Sequence, residues 1–358
     1  MSTMRPAHAL IDLAALRHNY QLAKSLSGRK ALAVIKANAY GHGAVEAAAT
    51  LADLVDGFAV ACLEEALELR RAGIQQPILL LEGWFEPAEL ELIQQHDLWC
   101  VIHHHGQLRD LEVADIRQPL TIWLKLDTGM HRVGFMPDEY PLVWRQLESS
   151  GKVRMHTHMT HFARADELDC AATEDQLRLF QHSINGLPGE TSLCNSPATL
   201  AWPQAHGDWL RPGIMLYGAT PFSEAQEAAD QLQPVMQLDS RVIAVRQVPA
   251  GEPMGYGARY ITRRPTRVGV VAMGYADGYP RHAPDGTPVL VNGQRTQLIG
   301  RVSMDMLTID LTDLPDAGLG SPVRLWGQGL NASEVAEAAG TIAYQLFCNL
   351  NRVPRFYR

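Results

Sequence analysis

Only five of the 358 residues are cysteine: Cys62, Cys100, Cys170, Cys194 and Cys348. An odd set with no C-x-x-C pair disfavours a disulfide framework and the usual zinc spacing, and it fits a reducing compartment. Long hydrophobic runs are also missing. No apolar stretch reaches the ~18 residues of a membrane span, and Met1 to Leu10 lacks the basic stretch and apolar core of an export signal. The expectation is a cytoplasmic protein with no membrane partner. Positive charge is scarce as well. With 31 Lys and Arg against 39 Asp and Glu, the net charge is −8, and no dense basic stripe is available to neutralise a phosphate backbone. Nucleic acid is therefore not an expected partner.

What is present is an ordinary soluble composition, 46% hydrophobic and 20% charged, which can bury a sizeable core. The length leaves room for one large barrel and a second, smaller unit. Short apolar or β-branched runs alternate with helical-period segments, as strand-helix units of a parallel sheet do. Eight such runs stand out: 31–37, 57–62, 77–82, 98–103, 120–127, 154–161, 191–196 and 210–217. Eight repeats predict an α/β fold with an N-terminal (β/α)8 TIM barrel. Leu13, Leu16, Tyr20 and Ala23 share one helical face behind Asp12, a suitable N-cap, and Ala61 to Ala72 reads as a further helix. After about Ala229 the pattern becomes alternating strands with turn signals. Asn292-Gly293 after Val289-Leu290-Val291 predicts a two-residue hairpin turn. The expected division is a barrel over 8–228 and a mainly β domain over 229–358, packed together, with the extreme N-terminus able to join the second unit.

Barrel enzymes place their chemistry at the carboxyl ends of the strands. The first run ends in Lys36-Ala37-Asn38-Ala39-Tyr40-Gly41-His42-Gly43, and a lysine at the barrel mouth can couple to a carbonyl cofactor. Arg132 follows the fifth run, His161 ends the sixth, Asn195-Ser196 the seventh, and Arg211-Pro212-Gly213 lies on the eighth. Phosphate sites commonly form after strands seven and eight. Three adjacent histidines, His103, His104 and His105, lack ligand spacing and are expected in a loop. His156 and His158 share one strand face and leave open a metal-dependent hydrolase with Lys125 as a carbamate ligand, which metal analysis or the yellow colour of a bound cofactor would decide.

The segment Val34 to Gly43 resembles the cofactor-lysine motif of bacterial alanine racemases, pyridoxal phosphate enzymes of fold type III. Arg211-Pro212-Gly213-Ile214, Gly255-Tyr256-Gly257, Gly274 to Tyr279 and Ser303-Met304-Asp305-Met306 are similar to further signatures of that family, in its order. The likeness covers nearly the whole chain and leans toward the catabolic isozyme. It implies pyridoxal 5'-phosphate as cofactor, alanine as substrate, no metal, and a homodimer with shared active sites. By the same resemblance Lys36 carries the cofactor and serves as one base, and Tyr256 of the other subunit serves as the opposed base. Tyr40, Ser196 and the backbone of Gly213 and Ile214 would bind the cofactor phosphate. Arg211 would face the ring nitrogen without protonating it, and His161 and Arg211 would supply a positive field for the Tyr256 phenol. Arg132 and the Met304 amide of the other subunit would hold the substrate carboxylate. Lys125 would be a carbamate that orients Arg132, with Asp305 and Tyr275 in support. Asp166, Tyr275, Arg281 and Arg301 would line the access corridor.

The sequence departs from the family pattern at Ser303, where cysteine is common, and at Asn351, where many members have a tyrosine that touches phosphate and narrows the gate. The pocket is therefore expected to admit residues larger than alanine. A racemase of broader specificity and a non-catalytic pyridoxal phosphate-binding protein are the alternatives. The second lacks a counterpart for the β domain with Tyr256 and Met304.

Overall fold

A computed structural model describes residues 5–358, except the side chains of Met155 and His156. The chain opens with β1 (His8–Ile11) and a helix over Leu13–Ser25. Asp12 caps that helix, accepting a hydrogen bond from the Ala15 amide at 3.0 Å, and Leu16, Tyr20 and Ala23 are buried beneath it. Eight parallel strands follow: β2 (Lys30–Val34), β3 (Gly57–Val60), β4 (Ile78–Leu80), β5 (Trp99–Ile102), β6 (Leu120–Lys125), β7 (Val153–Met159), β8 (Glu190–Ser192) and β9 (Trp209–Leu210). They pair in the order β8-β7-β6-β5-β4-β3-β2-β9. The β6 run is buried at every position, as expected of a parallel strand covered on both faces.

The barrel is nearly closed. Between β8 and β9 there is no ladder, and the seam is bridged by the Arg211 amide donating to the Cys194 carbonyl at 2.9 Å and by Ser192 Oγ donating to the Trp209 carbonyl at 2.9 Å. Two expected strands are shorter than the apolar pattern suggested. The first ends at Val34, before Lys36. The last covers Trp209–Leu210 alone, and Ile214–Tyr217 forms a 3-10 turn. Apolarity at 214–217 reflects burial, which a compact turn under the barrel rim satisfies as well as a strand does. The three histidines are likewise not a plain loop: His104 Nδ1 accepts from the Gly106 amide at 3.0 Å, and His105 begins the helix His105–Val113.

The second sheet holds β10 (Met236–Val248), β13 (Thr266–Val271), β14 (Pro288–Val291), β15 (Gln294–Gln297), β16 (Leu307–Asp310), β17 (Pro322–Trp326) and β18 (Arg355–Tyr357). A small pair, β11 (Pro253–Met254) and β12 (Tyr260–Ile261), stands apart. The β14–β15 hairpin turns at Asn292 and Gly293, at φ 51° and 79°, the mirror-image turn that an Asn-Gly pair favours. β1 lies antiparallel to β10 and parallel to β18, so both ends of the chain enter this sheet. One continuous hydrophobic core runs from the barrel into it.

Candidate active site

The rim at the carboxyl ends of the strands is built around Lys36 and Arg211. β2 makes its last bond to the barrel through the Ile35 amide, 2.9 Å from the Ala59 carbonyl. Lys36 follows, and then the chain takes an unusual course. Ala37, Asn38, Ala39 and Tyr40 all lie in the left-handed region, with φ between 51° and 54°. L-residues avoid this region at roughly 1–2 kcal/mol each, so the surroundings must hold the turn. Gly41, at φ 77°, continues it where a Cβ would stand 2.2 Å from the Phe347 carbonyl oxygen. His42 is buried and its Nδ1 lies 3.0 Å from the carbonyls of Ala39 and Tyr40. Burial holds its pKa down to about 3, so the ring is a neutral donor that ties the turn together.

The turn delivers Tyr40 to the rim beside β9. A Cβ added to Gly213 would stand 2.6 Å from the Tyr40 hydroxyl, so only glycine leaves that space open. Ser196 Oγ accepts from the amides of Gly213 and Met215 at 2.8 and 3.2 Å. Ile214 opens a 3-10 turn and its N–H has no partner within the turn. Two hydroxyls and a cluster of backbone amides thus converge on one small space.

Arg211 is buried, and both of its terminal nitrogens are held by the barrel. Nη1 donates to Ser192 Oγ at 2.6 Å, and Nη2 donates to the carbonyls of Thr160 at 2.6 Å and Leu193 at 3.3 Å. Nη2 also lies 3.3 Å from His161 Nδ1, which must be the acceptor because a guanidinium has no lone pair to offer. Burial lowers Arg211 to about 10, and it remains charged at neutral pH. Burial, reinforced by Lys125, Arg211, Arg132 and Lys36, drives His161 well below its usual value. The imidazole is therefore neutral, which corrects the expectation that His161 supplies positive field.

Lys125, at the end of β6, is buried, and its amine donates to no acceptor among the described residues. Burial, then Arg211, Arg132 and Lys36, lower it to about 7. Asp127 organises the next loop: its Oδ1 accepts from the amides of Gly129, Met130 and His131 at 2.9 to 3.1 Å. That loop carries Arg132 to a recess shared with Lys125, Thr160 and His161. Gln176 ties the two sides of this recess, donating to Thr128 Oγ1 and to the His161 carbonyl. Among the described residues none of Lys36, Lys125, Arg132 and Arg211 forms an ion pair. The mouth is therefore an excess of positive charge suited to anions, and the amide-and-hydroxyl cluster fits a phosphate.

The other expected residues lie on the β domain. Tyr256 sits on a 3-10 turn between β11 and β12, with Gly255 and Gly257 at φ 66° and 73°; its side chain is 69% exposed. Met304 is 53% exposed. Its loop interlocks with the neighbouring one through Tyr275 N to Ser303 O and Ala276 N to Met304 O, both 3.0 Å. Asp305 pairs with Arg352 at 2.9 Å. Buried Asp277 binds Arg5 and accepts from the Gly274 amide, fixing the stretch that presents Tyr275. Tyr275, Arg281 and Asn351 share a recess, while Arg301 lies beside the Tyr256 turn and Asp166 is an exposed residue of the barrel rim. His158 is structural: Tyr140 Oη lies 2.9 Å from its Nδ1 and the Pro188 carbonyl 3.1 Å from its Nε2. The His156 side chain lies outside the described residues. Sequence reasoning missed Glu65, Asp127, Gln176 and Ser192; only Glu65, at the third position of its helix, carried a local signal.

Residues 11–221 match the family described as Alanine racemase, N-terminal domain, and residues 235–357 match Alanine racemase, C-terminal domain. The chain belongs to the alanine racemase family. A family member from Pseudomonas taetrolens, an alanine racemase, is 66% identical over 99% of both chains. The catabolic alanine racemase of Pseudomonas putida is 66% identical over the same share. The solved structure of the biosynthetic alanine racemase from Pseudomonas aeruginosa superposes with a TM-score of 0.97 at 52% identity, covering 99% of this chain and 100% of that one. No helix among the described residues is long and apolar enough to cross a membrane.

Proposed function

We propose that this protein interconverts L- and D-alanine, with pyridoxal 5'-phosphate tethered at Lys36 and each active site shared between two copies of the chain. The observation that carries this reading is the unpaired cationic cluster of Lys36, Lys125, Arg132 and Arg211 beside an amide-and-hydroxyl cradle. When bound, pyridoxal phosphate supplies an electron-withdrawing ring that takes up the charge left on the α-carbon as its proton departs. The protein's own work is to place groups around it. Tyr40, Ser196 and the amides of Gly213 and Ile214 would hold the phosphate, the Gly213 amide turning to it from Ser196 Oγ. Arg211, unable to accept or easily lose a proton, would donate to the ring nitrogen through an N–H not already bonded within the barrel and would leave that nitrogen unprotonated.

Lys36 takes or returns the α-proton on one face. Tyr256 of a second copy does so on the other, since a single base would return the proton where it came from. Its 69% exposure within one chain supports a turn completed by another molecule. Arg211 and Arg132 supply the positive field, because His161 is neutral and its role is to accept from Arg211. The alanine carboxylate is held by Arg132 and by the amide of Met304 from the second copy. A lysine brought to about 7 holds a large neutral fraction, the form that reacts with carbon dioxide. A carbamate at Lys125 would place an anion among the cations and orient Arg132, with Asp305 and Tyr275 supporting the opposite wall.

The test is borohydride reduction of the holoenzyme followed by peptide mapping, alongside loss of optical activity and deuterium uptake at the α-carbon of alanine. Label on Lys36 with exchange of both enantiomers is the expected outcome. Label elsewhere, or none, would refute the reading.

A further inference from the structure

We propose that Glu65 is a positioning residue for Lys36, fixing the backbone on the lysine's carboxyl side and thereby aiming its amine. The proposal rests on the reading of Lys36 as the cofactor-bearing base. Lys36 is bracketed by two hydrogen bonds to the same neighbouring strand-helix unit. Before it, the Ile35 amide donates to the Ala59 carbonyl at 2.9 Å. After it, the Ala37 amide donates to Glu65 Oε1 at 2.7 Å. The other oxygen, Oε2, accepts from the Ala61 amide at 2.7 Å.

Glu65 is the third residue of the helix Leu63–Arg71. A glutamate there ordinarily reaches back to cap its own helix. Here one carboxylate spans the end of β3 and the first peptide after Lys36. The location matters because Ala37 begins the left-handed turn, and none of Ala37, Asn38, Ala39 and Tyr40 is glycine. Turns of this kind persist only where neighbours over-determine them. Ala37 is exposed, so packing does not restrain it, and the charge-assisted bond to Glu65 is its anchor. Rotation of the Ala37 peptide would swing the Lys36 side chain, and a displacement near 1 Å costs on the order of 10²-fold in rate.

The decisive variant is Glu65→Gln in the holoenzyme, which keeps one acceptor oxygen and turns an NH2 against the other amide. Its control is Glu64→Gln on the adjacent, exposed residue. The expected result is cofactor affinity weakened about tenfold in equilibrium dialysis and a shifted cofactor absorption spectrum. The α-deuterium isotope effect should also rise more for the enantiomer whose proton Lys36 removes than for its mirror image. A loss of helix stability alone would not create that asymmetry. Ala37→Gly removes the left-handed penalty, so the double variant Ala37→Gly with Glu65→Gln should recover affinity and symmetry; it also carries the measurement should the single variant fold poorly. Unchanged affinity with symmetric isotope effects, or no recovery on adding glycine, overturns the proposal. Borohydride mapping of the unaltered protein separates the two claims: label away from Lys36 removes the reading beneath, whereas label at Lys36 with a silent Glu65→Gln removes only the positioning role.

Discussion

The barrel rim and the exposed face of the β domain are finished to different degrees. On the rim, the terminal nitrogens of Arg211 are fixed by Ser192, Thr160, Leu193 and His161. Asp127 gathers three amides of one loop, and the Lys36 turn is tied to two neighbouring elements. On the β domain, Tyr256, Met304 and Met306 are 69%, 53% and 44% exposed, and Tyr256 stands between two glycines with positive φ. The first region is preorganised by its own chain, as a charge-stabilising site has to be. The second is an exposed apolar and phenolic surface, the one that the proposed second copy would cover.

The largest effect expected from this contrast is on activity. Lys36→Ala and Tyr256→Phe homodimers should each lose racemisation by more than about 10³-fold. Mixed after verified subunit exchange, they should regain up to about a quarter of the intact sites, since a heterodimer carries one whole site. If no mixture recovers, the two regions do not complement across a dimer. Next, Arg211→Gln should lower kcat about 10²-fold and cost roughly 2–3 kcal/mol in chemical denaturation, because buried carbonyls lose their donor. Exposed Arg281→Gln should change stability by less than about 0.5 kcal/mol.

The two regions also differ in how glycine is used. Gly41→Ala meets both a positive φ and the Phe347 carbonyl at 2.2 Å, whereas Gly251→Ala, at φ 86°, meets nothing within 4 Å. The first should lose about 2–3 kcal/mol in thermal unfolding and the second about 1 kcal/mol; equal losses would mean the turn is not clamped by the C-terminal segment. A further effect is a slope. Lys125 is depressed to about 7 in the fold from its ordinary 10.5, so between these values the unfolded chain binds more protons than the folded one. Stability should therefore rise with pH across that window in carbon dioxide-free buffer, and the rise should be lost in Lys125→Met. A matching slope in the variant would place Lys125 in water.

The legible parts of the sequence were those with local causes. The apolar and β-branched run of Leu120 to Leu124 announces a buried strand, Asp12 announces a cap, and Asn292-Gly293 announces its hairpin. Lys36 was found by its motif. The left-handed course of Ala-Asn-Ala-Tyr was invisible, because each of these residues prefers the right-handed region and only distant groups force the choice. Ile214 to Tyr217 misled for the opposite reason: apolarity reports burial, not the backbone path taken to reach it. His161 was legible in place but not in charge state, since its neutrality depends first on burial and then on cations arriving from three other strands.

By itself the sequence determined which residue types could reach a barrel mouth, because strand period and turn chemistry act over a few residues. Only the tertiary structure decided their protonation and aim. Charges carried past the ends of β2, β6 and β9 add at His161, and a carboxylate 28 positions along the chain, on the helix after β3, accepts from the peptide beside Lys36.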